Sequence, residues 1–335
     1  NRAGRSDPSG EVIVTLDTTT PPSPASVTAE ARADGLVKLT WRAPTFASIK
    51  GYNVYRSETR FTDKSQATPV NGGTLVPATG YEDLPPADAT FYYRVTAVSG
   101  ADNESALSEE ATARSDRTPP FLISVTYTPK GKYDSETERF GQGRVDVLLK
   151  LSEPVLSAPF FSLTPQGGVP MPVDLTKVSE TEYAGFFVIE ANTPSGVANA
   201  VFSARDLAGN RGTEIDEGLS IMIDTTGPAV STITLQPQDP IRNDADYPAY
   251  VAVRIGLTEP VKPGQSPLLS YVLSSPVRTP IPITPMAEVS TRAGEAQAWQ
   301  GTFPLPADAG QSGPESLRYV YKGLDDLDNQ GSIAC

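Results

Sequence analysis

The chain has 335 residues, of which 38% are hydrophobic, 32 are proline and 27 are glycine, and it carries a net charge of −13 with no histidine. The acidic balance argues against nucleic acid as a partner, because phosphate binding needs a clustered basic surface. The missing histidine excludes Ser-His-Asp and Cys-His catalysis and His-ligated zinc. The single cysteine, Cys335, excludes internal disulfides. Proline and glycine interrupt the longest uncharged run, so we expect no membrane insertion.

A five-residue pattern, D-x-T-x-P, recurs about every hundred residues. It stands at Asp17/Thr19/Pro21, Asp116/Thr118/Pro120 and Asp224/Thr226/Pro228. Proline has no N–H to offer a strand and restricts the residue before it, while Asp and Thr side chains bond nearby backbone groups in turns. The pattern therefore predicts short joints between domains, stiffer than Gly/Ser linkers, and an elongated, semi-rigid rod.

Between the first two joints, short alternating segments predict strands. Residues 36–42 read LVKLTWR, with apolar and polar side chains alternating at the period of a half-buried strand. Further strands are predicted at 51–57, GYNVYRS, and at 91–98, FYYRVTAV. About seven short strands in a hundred residues indicate an antiparallel sandwich, with Trp41 buried between its sheets.

Residues 22–115 resemble a fibronectin type III domain. Its strand B tryptophan is matched by Trp41 and its strand C signature by GYNVYRS. Its E–F turn and strand F are matched by Leu84, Pro86 and the run Phe91-x-Tyr93-x-Val95-x-Ala97. Phe91 takes the position of the tyrosine that forms the family's corner. Because Phe91 has no hydroxyl, the resemblance does not imply the corner hydrogen bond.

The rest of the chain contains an internal repeat. The residues at 145–155, VDVLLKLSEPV, align with those at 251–261, VAVRIGLTEPV. The blocks that follow are YAGFF at 183–187 with WQGTF at 299–303, and DLAGNRG at 206–212 with DDLDNQG at 325–331. Matched blocks in one order show a repeated unit. The pattern resembles bacterial immunoglobulin-like repeats of surface and secreted proteins, which implies two further sandwiches.

The fold expected is all-β, a tandem of antiparallel sandwiches. We predict a fibronectin type III domain over 17–116 and an immunoglobulin-like domain over 117–224. A second immunoglobulin-like domain, over 225–335, is predicted to lack its last strand. Residues 1–16 are predicted to be the last strand of an upstream immunoglobulin-like domain, or a donor strand.

The two ends of the sequence allow two interpretations. Residues 11–17, EVIVTLD, match the stretch at 218–224 that leads into the third joint, and the third domain stops before an equivalent stretch. The chain is then a fragment of a longer array, or residues 11–17 complete the third sandwich of a neighbouring molecule by strand donation.

No catalytic site is predicted. Glu153 and Glu259 take the same place in two repeats, which indicates a structural role at the end of a strand. No cofactor is expected. Four residues at the joints are candidate calcium ligands, Asp116, Asp206, Asn210 and Asp224. The preferred interpretation is that these side chains make turns and hold no metal. Outward tyrosines at 52, 55 and 92 could stack on sugar rings.

We therefore expect a non-catalytic structural or adhesion module, a stalk segment on a bacterial cell surface. Its partners would be neighbouring domains or subunits, and a cell-surface protein or glycan. One alternative is a subunit of a head-to-tail filament assembled by strand donation. Another is the accessory spacer of a secreted hydrolase. The sequence on either side of the chain would separate the last alternative from the first expectation.

Overall fold

A computed structural model describes Gly10 and residues 16–274 and 279–333. In this part of the chain the regular structure is β-strand apart from two short 3-10 helices, Ala33–Gly35 and Lys64–Gln66. No helix in it is long and apolar enough to cross a membrane. The chain forms two compact units. The first joins Asn1–Pro120, Glu153–Ser157 and Ala204–Gly212, and the second joins Phe121–Ser152, Ala158–Ser203 and Thr213–Cys335.

The first sandwich packs a three-stranded sheet, in the order β1-β2-β5, on a four-stranded one, in the order β4-β3-β6-β7. Its strands are β1 (Ala25–Ala31), β2 (Val37–Arg42), β3 (Ile49–Ser57), β4 (Thr68–Pro69), β5 (Gly80–Asp83), β6 (Thr90–Ser99) and β7 (Ala111–Arg114). Every pairing in both sheets is antiparallel. This arrangement is a fibronectin type III/immunoglobulin-like sandwich.

The core of the first sandwich follows the alternation of the sequence. Trp41 is 6% exposed, and its ring meets that of Tyr52 edge-on with 5.3 Å between the centroids. The run from Phe91 to Ala97 on β6 presents its odd-numbered residues to the same core, where all four are buried. The predicted burial of Trp41 is therefore confirmed.

The prediction that Tyr52 and Tyr55 face outwards is wrong. They are 4% and 6% exposed, and Tyr92 is half-buried. Tyr52 lies on the core side of β3 beside Trp41. Tyr55 lies on the opposite side, where its hydroxyl donates to Oε1 of Glu104 at 2.9 Å. The alternation of β3 could not show that the turn carrying Glu104 covers the second face.

The second sandwich has one sheet in the order β14-β15-β11-β8-β18 and another in the order β13-β12-β16-β19-β10-β9, with β17 paired to β16. Its strands are β8 (Leu122–Pro129), β9 (Tyr133–Asp134), β10 (Arg139–Phe140), β11 (Gly143–Leu151), β12 (Phe160–Pro165), β13 (Met171–Pro172), β14 (Thr176–Lys177), β15 (Glu182–Ile189), β16 (Gly196–Arg205), β17 (Arg211–Gly212), β18 (Ile215–Glu217) and β19 (Ser220–Ile223).

The third sandwich has sheets in the orders β20-β21-β25-β24 and β23-β22-β26. Its strands are β20 (Val230–Gln236), β21 (Tyr250–Leu257), β22 (Leu268–Leu273), β23 (Ile281–Ile283), β24 (Met286–Val289), β25 (Gln297–Pro304) and β26 (Leu317–Lys322). The sequence repeat is also a repeat of pairing. Val147 on β11 lies opposite Gly185, and its counterpart Val253 on β21 lies opposite Gly301.

The two repeats differ at their last strand. The strand expected over 218–224 is β19, and a separate short strand, β18, precedes it before the chain turns at Gly218, where φ is +83°. β18 pairs in parallel with β8, and β19 pairs antiparallel with β16. In the third sandwich Ile333 forms a parallel bridge with Val230, as β18 pairs in parallel with β8 in the second. Among the described strands, β26 is an edge strand of its sheet. Residues 11–15 lie outside the described part, and the predicted domain boundaries stay predictions.

Candidate functional site

The joints hold an arrangement of polar side chains that recurs from one joint to the next. At the first two joints the aspartate of D-x-T-x-P closes the turn that the sequence predicts. Oδ1 of Asp17 accepts the backbone N–H of Thr19 at 2.9 Å, and Oδ1 of Asp116 accepts that of Thr118 at 3.1 Å. The turn fixes the direction in which each linker leaves its aspartate.

At all three joints, a second side chain from the sandwich that follows the joint bonds the backbone of the aspartate. An asparagine Nδ2 donates to the aspartate's backbone carbonyl, and we call this contact the asparagine clamp. It joins Asn103 to Asp17 at 2.8 Å, Asn210 to Asp116 at 3.0 Å, and Asn329 to Asp224 at 3.1 Å. The clamp therefore occurs at all three joints that the sequence predicts.

In the two repeats the clamping asparagine is itself held by an aspartate. Oδ1 of Asp206 accepts the backbone N–H of Asn210 at 2.8 Å, and its Oδ2 accepts the side-chain Nδ2 at 2.6 Å. Asp325 holds Asn329 through the same pair of bonds, at 2.7 and 2.9 Å. Hydrogen bonds to a charged carboxylate are stronger than neutral ones. This accounts for the first and fifth letters of D-x-x-x-N-x-G.

The glycine of the same motif lies directly against the backbone of the joint proline. A Cβ at Gly212 would lie 1.6 Å from the carbonyl oxygen of Pro120, and one at Gly331 would lie 1.8 Å from that of Pro228. No side chain fits at either place, because these distances are far below van der Waals contact. The turn and the linker therefore pack backbone against backbone.

The clamps bring carboxylates together. The first carboxylate cluster is Asp116, Glu153 and Asp206, and the second is Asp224, Glu259 and Asp325. In each cluster, one oxygen from every member lies within 4.8 Å of the others. The glutamates come from the Ser/Thr-Glu-Pro-Val blocks, so three separate sequence motifs meet at one point, twice.

Charge repulsion within the clusters changes the acidity of the glutamates. In the first cluster, burial and then the neighbouring Asp116 and Asp206 raise the pKa of Glu153. In the second cluster, burial and then Asp224 and Asp325 raise the pKa of Glu259 to about 7. The larger rise in the pKa of the glutamate is found in the second cluster, where two of the three carboxylates are buried.

The second cluster has a built-in counter-charge. Nη1 of Arg139 lies 2.6 Å from Oδ2 of Asp224, and its Nη2 lies 3.3 Å from Asp134 and 3.7 Å from Asp326. The same guanidinium opposes the rise in the pKa of Glu259. In the first cluster Arg114 has this effect on the pKa of Glu153. Each cluster can relieve its remaining repulsion by keeping a proton on the glutamate or by holding a cation.

The sequence-predicted calcium candidates are divided between the clusters. Asp116 and Asp206 lie together with Glu153, whereas Asp224 lies in the second cluster. Asn210 acts as a clamp, because its Nδ2 bonds the linker and its Oδ1 accepts the backbone N–H of Asp34 at 2.7 Å.

Sequence reasoning missed two parts of the joints. Asn103 follows no D-x-x-x-N-x-G motif, and the only available signal was its place after the sixth strand of its domain. Arg139 is the first residue of β10, in the short hairpin that β9 and β10 form. It lies 85 residues before Asp224, and no pattern in the sequence links the two.

No family model matches the chain, and no curated protein sequence does. Several solved structures resemble it. A crystal structure of chicken CNTN1 FN1-FN3 domains is 13% identical, with a TM-score of 0.26, and covers 93% of this chain and 96% of its own. A tetra-tandem repeat in the extending region of a large adhesion protein is 14% identical, with a TM-score of 0.31, and covers 93% and 74%.

A three-immunoglobulin-domain structure of titin, in a mutated variant, is also 14% identical, with a TM-score of 0.40, and covers 94% of this chain and 99% of its own. At these identities and scores the resemblances carry no argument about activity or partners. The strand pairings themselves define the chain as a tandem of fibronectin type III/immunoglobulin-like sandwiches.

Proposed function

We propose that the chain is a non-catalytic structural module, one segment of a stalk or adhesion protein on a bacterial cell surface. The observation that supports this most is the asparagine clamp, which is present at all three joints. Each clamp holds the linker aspartate against the sandwich that follows it, and Asn210 also accepts the N–H of Asp34 in the first sandwich. Such a clamp is useful where spacing between successive domains has to be kept.

Each linker is restrained at several points, and this supports a spacer. Its aspartate carbonyl is bonded to the clamp, and in the two repeats its proline carbonyl packs on a glycine backbone. Proline-bearing linkers of this kind lose little further freedom when the domains are loaded or bound. The partners proposed are neighbouring domains or subunits, and a cell-surface protein or glycan.

The joints are proposed to work without a resident metal or other cofactor. The clamp bonds backbone carbonyls with neutral amides and needs no cation to form. Arg139 supplies positive charge to the second cluster from the chain itself. The acidic side chains then serve the turns that hold the asparagines.

A test of the proposal removes one clamp. Asn210→Ala leaves the carbonyl of Asp116 and the N–H of Asp34 without their partner, so the joint should loosen while the sandwiches stay folded. Small-angle X-ray scattering should show a broader distribution of dimensions than in the wild type, with the circular dichroism spectrum unchanged. The matched control is Asn192→Ala, at an exposed position in a loop.

Scattering curves that are the same for Asn210→Ala, Asn192→Ala and wild type would contradict the proposed spacer. The cell-surface location has its own test. An antibody raised against the chain should label intact source cells, and labelling that appears only after permeabilisation would contradict that location.

Two other functions compete with this one. An accessory spacer in a secreted hydrolase would use the same stiff joints, and a catalytic domain in the flanking sequence would favour it. A head-to-tail filament subunit assembled by strand donation is the other candidate, and fibres in electron microscopy of native material would favour it.

A further inference from the structure

The outer face of the sheet β20-β21-β25-β24 carries a row of polar side chains. The odd-numbered residues of β21 belong to the core of the third sandwich, so its even-numbered residues lie on the outer face. There Arg254 lies opposite Thr234 of β20 on one side and opposite Gln300 of β25 on the other. The row therefore crosses three neighbouring strands.

The corresponding row of the second sandwich is largely apolar. The sequence repeat aligns Arg254 with Leu148 and Gln300 with Ala184. Leu148 lies opposite Ala184 as Arg254 lies opposite Gln300, and Leu148 is 40% exposed although a further sandwich follows along the chain. The fold itself therefore requires neither an arginine nor a glutamine in this row.

A groove of about 600 Å³ lies on this face of the third sandwich. Ala252, the smallest residue that lines it, lies opposite Gln236 in the sheet, so a depression forms beside longer side chains. No aspartate or glutamate is found among the described residues that line the groove. The polar residues around it are Thr234, Gln236, Gln238, Arg254, Arg292 and Gln300.

The two arginines of the groove differ in their partners. Nη1 and Nη2 of Arg254 donate to the two carboxylate oxygens of Glu295, at 2.7 and 2.6 Å. Glu295 also accepts the hydroxyl of Thr232 and the backbone N–H of Arg292, so the ion pair is held on the sheet. The guanidinium of Arg292 is exposed and makes no hydrogen bond or ion pair with the described residues. Its positive charge is therefore available to a ligand.

The remaining polar groups of the groove are neutral. The amides of Gln236, Gln238 and Gln300 and the hydroxyl of Thr234 make no side-chain hydrogen bonds with the described residues. An amide offers both donors and an acceptor, and so matches sugar hydroxyl groups, each of which donates and accepts. A guanidinium pairs with a carboxylate through two parallel hydrogen bonds. One available cation among several amides therefore suits a sugar with one carboxylate and several hydroxyls.

We infer that this groove binds an acidic glycan, with Arg292 on the carboxylate of a hexuronic acid ring and the three glutamines on the ring hydroxyls. The inference names a ligand class for the cell-surface partner, and it rests on the adhesion role proposed above. An acidic peptide fits the groove less well, because it has no ring hydroxyls for the three amides.

The test uses the full-length chain, with a hexamer of galacturonic acid as the probe. Isothermal titration calorimetry should show saturable binding to the wild type, with EDTA present so that no cation links the probe to the carboxylate clusters. The fully methyl-esterified hexamer keeps the sugar rings and loses their charges. It should bind at least about tenfold more weakly, because it cannot form the charged pair with Arg292.

Two substitutions locate the binding in the groove. Arg292→Ala should weaken binding of the acid hexamer at least about tenfold, and Gln300→Ala should weaken it about threefold. Arg292→Lys should restore only part of the affinity, because lysine lacks the planar fork of the guanidinium. The matched control is Arg318→Ala, which removes an exposed arginine from β26 in the other sheet and should leave binding unchanged. All four substitutions are at exposed positions, so melting temperatures should stay at the wild-type value.

Four results would overturn the inference. They are a wild type that does not bind the acid hexamer, binding that survives in Arg292→Ala, equal binding of the methyl ester, and equal binding of a glutamate hexapeptide. The clamp experiment on Asn210 concerns a joint outside the groove, so the spacer function can hold when the groove binds nothing and can fail when it binds.

Discussion

A single asparagine side chain at each joint pairs hydrogen-bonding groups that would otherwise have no partner. Asn210 bonds the carbonyl of Asp116, the carboxylate of Asp206 and the N–H of Asp34. A hydrogen bond of this kind contributes about 0.5–1.5 kcal/mol net, while leaving a buried partner unpaired costs about 1–3 kcal/mol. The clamp is therefore worth more than its direct bonds when it is removed, which is why one substitution should loosen a whole joint.

The acidity of Glu259 predicts a pH dependence of stability. Burial and the nearby Asp224 and Asp325 raise its pKa from 4.5 to about 7. Because the folded-state pKa lies above the ordinary value, protonation stabilises the fold. This contribution is complete below about pH 4.5 and is lost as the pH rises to about 7.

Glu259→Gln should therefore stabilise the protein at pH 8, by about 1–2 kcal/mol after allowance for solvent screening, and should change little at pH 4.5. Melting temperatures across this range measure the effect. Glu136→Gln, at an exposed position in the same compact unit, is the control and should show no such trend. Destabilisation by Glu259→Gln at pH 8 would mean instead that the folded state uses the negative charge.

At the scale of the strand, β2 depends on one large side chain. Trp41 is buried against Tyr52 and belongs to the core of the first sandwich, so Trp41→Ala should cost about 3–5 kcal/mol. The first sandwich should unfold and the other two should remain. Trp299, the second tryptophan, lies in the core of the third sandwich and reports on that part alone.

In urea, far-ultraviolet circular dichroism of the Trp41→Ala protein should show a first loss of strand signal while the fluorescence of Trp299 stays at its native wavelength. Trp41→Phe, which keeps an aromatic ring, should shift the first transition much less. A single transition in which both signals change together would contradict independent sandwiches.

The strands were the most predictable part of the molecule. Alternation in single segments located β2, β6, β11 and β21, because each has one face in a core. It also located β3, but it did not show that the outer face of β3 is covered, so the tyrosines of this strand were wrongly expected to be exposed. It did not predict β18, the short strand at 215–217 that pairs in parallel with β8, since periodicity contains no information on which sheet a segment joins.

The candidate site was predictable only in part, for a related reason. The repeated motifs marked the residues of both clusters, but the role of the asparagine became clear from its bond to a carbonyl about a hundred residues away. Arg139 and Asn103 belong to no repeated motif. Contacts of this kind depend on which distant segments the fold brings together. A single sequence reveals them only where a repeated motif marks the residues.

At the scale of the whole molecule, the carboxylate clusters predict the response to metal chelators. If the clamps hold the joints without a cation, EDTA should change neither the melting temperature nor the small-angle scattering curve. A decrease in melting temperature that Ca²⁺ reverses would show that a cluster binds metal. Asp116→Asn should abolish such an effect if the first cluster is responsible, and Asp216→Asn, at an exposed position, should not.

The position of the two halves of each clamp has a consequence for inheritance. The aspartate stands at the start of a repeat and its asparagine near the end of the same repeat, as in Asp116 with Asn210 and Asp224 with Asn329. A stretch of gene copied from one D-x-T-x-P to the next therefore encodes both halves. Duplication or loss of such a stretch changes the number of sandwiches by one and leaves every remaining joint with its own clamp, without compensating substitutions elsewhere.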